Sequence, residues 1–143
     1  MRKLTIACVL ALFASGCTTP AQPGASSGVI PSEQVQPNRQ FDLKSGQEAK
    51  VQGTPIAVRF QSVSEDSRCP SDVVCVWAGN AVVRLSITST DASSIDASLN
   101  TTLDPKNVTY SGYTIRLIDL KPVPKSGTKS VDADYVATLE VTK

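Results

Sequence analysis

The stretch TPIAVRFQSV, Thr54 to Val63, alternates apolar and polar side chains. Ile56, Val58 and Phe60 fall at every second position within it. Successive side chains of a β-strand point to opposite faces, so these three share one face. The stretch therefore predicts a strand that buries one side and exposes the other.

Three further stretches have the same period of two, namely NAVVRLSIT (80–88), YTIRLIDL (113–120) and DYVATLEVT (134–142). Weaker strands are predicted at 41–43, 48–52, 73–77 and 97–103. The alternation of YTIRLIDL slips at Ile118, which predicts a β-bulge. Turn-forming residues separate the strands at 45–46, 52–55, 78–80, 104–107 and 121–127.

No window has a helical period, and half-polar strands are typical of antiparallel sheets. We therefore expect an all-β protein. The predicted architecture is a single antiparallel β-sandwich, or a small barrel, of about eight short strands with one local disulfide. This domain is placed at residues 41–143.

The N-terminus, MRKLTIACVLALFASGC, predicts a secretory signal at residues 1–16. Its apolar run is shorter than the about 20 residues that a membrane-spanning helix needs. The ending ASGC resembles the lipobox of bacterial lipoproteins, with Ala14 where leucine is preferred. The resemblance implies that Cys17 carries acyl chains, palmitate among them, and becomes the mature N-terminus. The alternative is an ordinary signal cut nearby, which leaves Cys17 as an odd thiol.

The segment 17–40 that follows is rich in proline, glutamine and glycine. Such a composition has little to bury, so we expect the lipidated cysteine to be followed by a disordered tether. In a Gram-negative cell, Thr18 behind the lipidated cysteine implies sorting to the outer membrane. The expected location is exported and lipid-anchored in the cell envelope, at the periplasmic face of the outer membrane.

The chain has 14 basic and 13 acidic residues, and two of the basic residues belong to the predicted signal. The remaining lysines and arginines are spread singly, without the basic patch that phosphate backbones require. Nucleic acid is therefore not an expected partner.

The stretch SRCPSDVVCVWAGNA, Ser67 to Ala81, holds two cysteines and the only tryptophan. Redox pairs usually have two intervening residues, and zinc sites need four ligands in a chain that here lacks histidine. An exported location favours the third interpretation, a structural disulfide between Cys69 and Cys75. If residues 73–77 are extended, Trp77 lies beside the disulfide at the rim of the core.

Charged residues flank this loop, and Asp66, Arg68, Asp72 and Trp77 form a candidate binding loop that the disulfide holds rigid. The competing interpretation is structural: turn capping, an Arg68–Asp66 ion pair and a packed tryptophan. Calcium is a further alternative, through Asp66, Asp72 or the aspartates of the DAD segment at 132–134, but no EF-hand spacing exists. No metal and no cofactor are expected.

The segments EDSRCPSDVVCVWAGNAVV, GYTIRLIDLKPVP and DYVATLEV resemble a family of small exported bacterial β-rich proteins and lipoproteins of unknown function. An SRCP…CVWAG segment marks that family. Within it, the matching positions are Ser67–Pro70 and Cys75–Gly79. The resemblance brings no activity, so no catalytic residue is carried over.

The absence of histidine and of nucleophile or phosphate-loop motifs argues against an enzyme. The expected function is a membrane-anchored lipoprotein that presents a non-enzymatic β-sandwich binding module in the cell envelope. Its partner would be an envelope protein or the cell wall. The alternatives are an inhibitor of an envelope-directed lysozyme or protease, with 66–74 as the inserted loop, and a structural part of an envelope complex.

Overall fold

The computed structural model describes residues 32–143, which form nine strands and one short 3₁₀ turn. The strands are β1 (Ser32–Val35), β2 (Gln40–Lys44), β3 (Glu48–Val51), β4 (Ile56–Asp66), β5 (Ala81–Ser89), β6 (Ala92–Asn100), β7 (Asn107–Tyr110), β8 (Tyr113–Lys121) and β9 (Val136–Thr142), with the 3₁₀ turn at Asp132–Asp134. The expected all-β class is confirmed.

The strands form two separate sheets, so the architecture is a sandwich. One sheet has the order β1-β3-β4-β5-β6 and the other the order β2-β9-β8-β7. Every pairing is antiparallel except that of β1 with β3. The loops that join β4 to β5, β6 to β7 and β8 to β9 all emerge at one end of the sandwich.

The inner faces of the two sheets form one core. The predicted alternation correctly indicates which side chains of β4, β5 and β9 face it. Ile56, Val58 and Phe60 of β4 are buried. The inward residues of β5 and β9 are likewise buried, and they are Ala81, Val83, Leu85, Ile87, Ala137, Leu139 and Val141. Because a shift of one residue would turn each set outward, this core fixes the register of the strands.

The bulge predicted at Ile118 is present. The register of β8 against β9 shifts between Leu117 and Asp119. The extra residue returns Leu120 to the buried face, so the strand changes phase without losing its place in the core.

The predicted start of the domain at residue 41 is wrong, because Ser32–Val35 already form β1. β1 runs parallel to β3, and the Gln52 amide donates to the Val35 carbonyl at 2.8 Å. Val35, at 6% exposure, is the only core residue of this strand. One apolar residue in a polar stretch gives no alternating pattern of apolar side chains. The polar composition of this strand therefore predicted a disordered tether. Residues 36–40 of the predicted tether also belong to the domain, since they form the turn into β2, which begins at Gln40. The rest of the predicted tether, residues 17–31, and the predicted signal lie outside the described residues.

Three further differences from the predicted strands are found. Residues 73–77 are not a strand, although their composition favours one. β7 was not predicted, because its four residues directly follow the turn-forming segment 104–107. β6 spans Ala92–Asn100 and not the predicted 97–103, because serines interrupt the apolar pattern of its first half and residues 101–103 belong to the following turn segment.

Candidate functional site

The loop between β4 and β5, residues 67–80, continues their hairpin beyond the sheet. The Ser67 amide donates to the Asn80 carbonyl at 2.8 Å, and the Cys69 amide donates to the Ala78 carbonyl at 2.8 Å. The Ser67 hydroxyl also donates to the Asn80 carbonyl, at 3.0 Å. Only the tip of the loop therefore lacks ladder pairing.

Gly79 permits this narrow base. Its φ of +70° lies in the left-handed region, which side chains with a Cβ rarely adopt. A Cβ at this position would lie 1.9 Å from the carbonyl oxygen of Ser67. The two sides of the loop approach so closely that only glycine fits.

The predicted disulfide between Cys69 and Cys75 is confirmed, with an S–S distance of 2.09 Å and a Cα–Cα distance of 6.0 Å. It closes the tip just beyond the Cys69–Ala78 hydrogen bond. The tip is thus held twice, by the ladder at its base and by the covalent bond across it.

We expect the double variant Cys69→Ser, Cys75→Ser to lose about 2.4 kcal/mol of unfolding free energy. The estimate is the chain entropy that closure of a seven-residue loop removes from the unfolded state. Urea denaturation of the variant and the oxidised parent measures the difference. An unchanged midpoint would contradict a stabilising role, and the far-ultraviolet circular dichroism should stay the same because both cysteines lie outside the sheets.

The expectation that Trp77 lies at the rim of the core is wrong, because its side chain is 81% exposed. Val74 and Val76 are more exposed still, at 102% and 106%. The expectation required an extended strand at 73–77, whereas the short disulfide-closed loop turns these side chains into solvent. The tip therefore presents apolar side chains away from the domain.

Asp66 and Arg68 form the ion pair that the structural interpretation suggested. The Arg68 guanidinium donates from Nη2 to Oδ2 of Asp66 at 2.7 Å and from Nε to Oδ1 at 2.9 Å. Both side chains are only 12% exposed. The same guanidinium donates to the carbonyls of Leu120 and Pro122, at the end of β8. Arg68 thus joins the base of the loop to the opposite sheet.

Tyr135 completes this group, since its hydroxyl donates to Oδ2 of Asp66 at 3.0 Å. Burial alone would raise the pKa of the Asp66 carboxyl, but the hydrogen bonds and charge of Arg68 outweigh it, and the pKa lies below the ordinary value. Burial, followed by the hydrogen bond to Asp66, raises the pKa of Tyr135. The arrangement holds Asp66 ionised and Tyr135 protonated.

These shifts predict a pH dependence of stability. A carboxyl with a lowered folded-state pKa contributes stability above its unfolded pKa, about 4, and that stability is lost as the pH falls through the folded value. We expect the unfolding free energy to fall below about pH 4 and the fall to be smaller in Asp66→Asn. Urea denaturation across this range measures both slopes. Parallel slopes in the two proteins would contradict the prediction.

Asp72 and Ser71 attach the other side of the loop to the segment between β8 and β9. The Ser71 amide donates to the Pro124 carbonyl at 2.9 Å, and the Ser126 amide donates to the Asp72 carboxylate at 2.9 Å. The bond from Ser126 lowers the pKa of Asp72. Of the four candidate binding residues, Asp66, Arg68 and Asp72 thus make contacts inside the domain, and Trp77 faces solvent.

Asn80 links the loop to a third segment, between β6 and β7. Its side-chain amide donates to Oδ1 of Asn100 at 2.7 Å, and its own Oδ1 accepts from the Thr102 amide at 3.1 Å. Three loops from distant parts of the chain are therefore bonded together. We call this end of the sandwich, formed by residues 67–80, 101–106 and 122–135, the apolar end.

The name refers to a concentration of exposed apolar side chains, which the sequence patterns did not predict. Seven of the eight exposed large apolar side chains among residues 32–143 belong to the apolar end; they are Val73, Val74, Val76, Trp77, Leu103, Val123 and Val131. The eighth, Ile118, lies on the outer face of the second sheet, beside the β8 bulge. In the sequence, Val73, Val74, Val76 and Trp77 belong to a run that predicts a strand, and Leu103, Val123 and Val131 are single apolar residues among turn-forming ones.

Two small cavities of about 250 Å³ each open at this end. One lies between Trp77 and Leu103, and the other is lined by the Asp66–Tyr135 pair and Lys129. In the part of the chain that the structure describes, no three His, Cys, Asp or Glu side chains group as metal ligands. Asp66, one of the candidate calcium ligands, is paired with Arg68 instead.

Comparisons of the chain with protein-family models, with curated proteins and with solved structures found no match in any of the three. Across residues 32–143, no helix is long and apolar enough to cross a bilayer.

Proposed function

We propose that this protein is a membrane-anchored lipoprotein of the cell envelope, and that its β-sandwich is a non-enzymatic binding module. Cys17 carries the acyl anchor, and the apolar end is the contact surface. The observation that carries the proposal is the full exposure of Val74, Val76 and Trp77 on a loop held by a disulfide. Exposed apolar patches of this kind mark interaction sites in soluble domains.

The contacts of the loop support binding rather than chemistry. Its charged side chains are occupied, since Arg68 bonds Asp66 and two carbonyls, and Asp72 bonds Ser126. The most exposed side chains of the loop, Val74, Val76 and Trp77, are apolar. A preordered apolar loop loses little conformational entropy on binding, so its burial contributes directly to affinity.

A second candidate is an inhibitor of an envelope-directed hydrolase, a lysozyme or a protease. The protruding tip favours it, because a rigid convex loop can insert into a cleft. A third candidate is a structural part of an envelope complex. The nine-residue edge strand β6 favours this one, although the Tyr110 hydroxyl already occupies the Ser93 carbonyl.

The experiment is chemical crosslinking and purification of the lipidated protein from its own membranes, with mass spectrometry of its N-terminus. The expected results are acyl chains on Cys17 and a crosslink of the apolar end, to protein or to lipid, that is lost in Trp77→Ser. Ile118→Ser is the matched control, because it removes an exposed apolar side chain away from the apolar end. An unmodified N-terminus, or a partner retained by Trp77→Ser and lost by Ile118→Ser, would contradict the proposal.

A further inference from the structure

We propose that the apolar end docks on the lipid bilayer to which the chain is anchored, with Val74, Val76 and Trp77 in its interfacial layer. This inference rests on the proposed function for the lipid anchor, and it names the partner of the apolar end. It assigns the surface to lipid rather than to a protein cleft.

The side chains have the chemistry of an interfacial contact. Residues 73–80, VVCVWAGN, carry no charge. Within them, the side chains of Val74, Val76 and Trp77 are almost fully exposed. Tryptophan is enriched at membrane–water interfaces, where its ring is apolar and its N–H stays near the headgroups. Valine gains from any apolar surroundings without needing a directional partner.

The backbone of the loop suits shallow insertion. A polar backbone group that leaves water must keep a hydrogen-bond partner. At the base of the loop, the Cys69 amide bonds the Ala78 carbonyl, and the Val73 amide bonds the Pro70 carbonyl at 3.4 Å. The amides of residues 74–77 make no such backbone bond, so insertion is limited to the interfacial layer, where headgroups and water still bond them. The disulfide keeps the tip compact, so Val74, Val76 and Trp77 can enter while the sheets remain in water.

The position of the anchor also fits. β1 is parallel to β3 and therefore antiparallel to β4, so the chain before Ser32 leads toward the apolar end. Ser32 lies opposite Glu48, which pairs with Arg59, and seven residues of β4 separate Arg59 from Asp66, about 23 Å. The fourteen residues between Cys17 and Ser32 can span at most about 50 Å. The anchor can thus lie in the same membrane plane as the loop tip.

The charges of the apolar end indicate the type of lipid contact. Its three segments hold four basic side chains, Arg68, Lys106, Lys125 and Lys129, and four acidic ones, Asp72, Asp104, Asp132 and Asp134. With no net charge, the surface has no electrostatic preference for anionic lipid. Docking should therefore be equal on zwitterionic and anionic vesicles and insensitive to salt.

The observations favour lipid over protein for one further reason. Specific protein interfaces combine apolar contacts with about one hydrogen bond per 100–200 Å². Among the described residues, every buried side-chain polar atom has a partner, and Arg68 and Asp72, the charged residues of the loop 67–80, bond within the domain. The most exposed side chains of the tip, Val74, Val76 and Trp77, offer apolar area with few groups to direct a protein partner.

The test uses the full lipidated protein in phosphatidylcholine vesicles whose acyl chains carry bromine, a quencher of tryptophan. Trp77 is the only tryptophan, so its emission reports this surface alone. We expect strong quenching and a blue-shifted emission. In Val74→Ser, Val76→Ser the ratio of docked to undocked protein should fall about tenfold or more. Ile118→Ser should behave as the parent does.

The failures are distinguishable. If the protein floats with the vesicles but Trp77 is not quenched by bromine and remains accessible to acrylamide, lipid docking is contradicted. The proposal of an anchored binding module is then unaffected. A protein without acyl chains that does not float overturns both. In native membranes, a photoreactive residue in place of Val74 should yield lipid adducts. Adducts to a protein instead would overturn lipid docking and favour a protein partner.

Discussion

Replacement of Gly79 by alanine is expected to lower the unfolding free energy by about 3–5 kcal/mol, since backbone strain and overpacking each cost about 1–3 kcal/mol. The φ of +70° disfavours any residue with a Cβ, and the new Cβ would lie 1.9 Å from the Ser67 carbonyl oxygen. Both the Ser67–Asn80 and the Cys69–Ala78 hydrogen bonds would have to open. Urea denaturation of the oxidised protein measures the loss.

Gly53→Ala is the matched control, because Gly53 has the same φ of +70° and a Cβ there meets nothing within 4 Å. It reports the backbone strain alone, about 1–2 kcal/mol. The difference between the two variants is the cost of the close approach. If the variants lose equal stability, the narrow base of the loop does not constrain position 79.

Strand positions were predictable because burial of one face imposes a period of two. Ile56, Val58 and Phe60 are buried as the pattern requires, and the slip at Ile118 identified the β8 bulge. The Cys69–Cys75 bond followed from the predicted export and from the lack of other metal ligands in the sequence. These signals are local, so one sequence contains them.

The unpredicted features depend on contacts between distant parts of the chain. Residues 73–77 have the composition of a strand, but the hairpin ladder ends at Cys69–Ala78 and leaves them without a partner strand. Trp77 is exposed for that reason. β1 depends on parallel pairing with β3. Its single buried residue, Val35, gives no sequence pattern from which this pairing could be predicted.

The candidate site was predicted in part for the same reason. The Arg68–Asp66 pair is separated by two residues and could be predicted. The carbonyls of Leu120 and Pro122, which also accept from Arg68, are more than fifty residues away. Those two bonds turn a surface ion pair into a link between the sheets, and only the fold reveals them.

Arg68→Ala is accordingly the second large effect, an expected loss of about 3–4 kcal/mol. Hydrogen bonds to charged groups contribute about 1.5–3 kcal/mol, and a covered carboxylate left without its partner adds to the cost. The Asp66 side chain, 12% exposed, would keep only the Tyr135 hydroxyl and the amide of residue 68. Urea denaturation at pH 7 measures the loss.

Arg68→Lys should recover little of this stability. A single ammonium group cannot donate two hydrogen bonds to Asp66 and also donate to the Leu120 and Pro122 carbonyls. Arg84→Ala, on the exposed outer face of β5, controls for loss of a positive charge and should change stability by less than about 0.5 kcal/mol. The acid dependence of stability also changes: without Arg68, the Asp66 carboxyl loses the guanidinium hydrogen bonds and charge that lower its pKa, and it keeps only the amide of residue 68 and the Tyr135 hydroxyl against the effect of burial. Stability of Arg68→Ala should therefore depend less on acid than that of the parent. A lysine variant as stable as the parent would show that charge alone joins the sheets here.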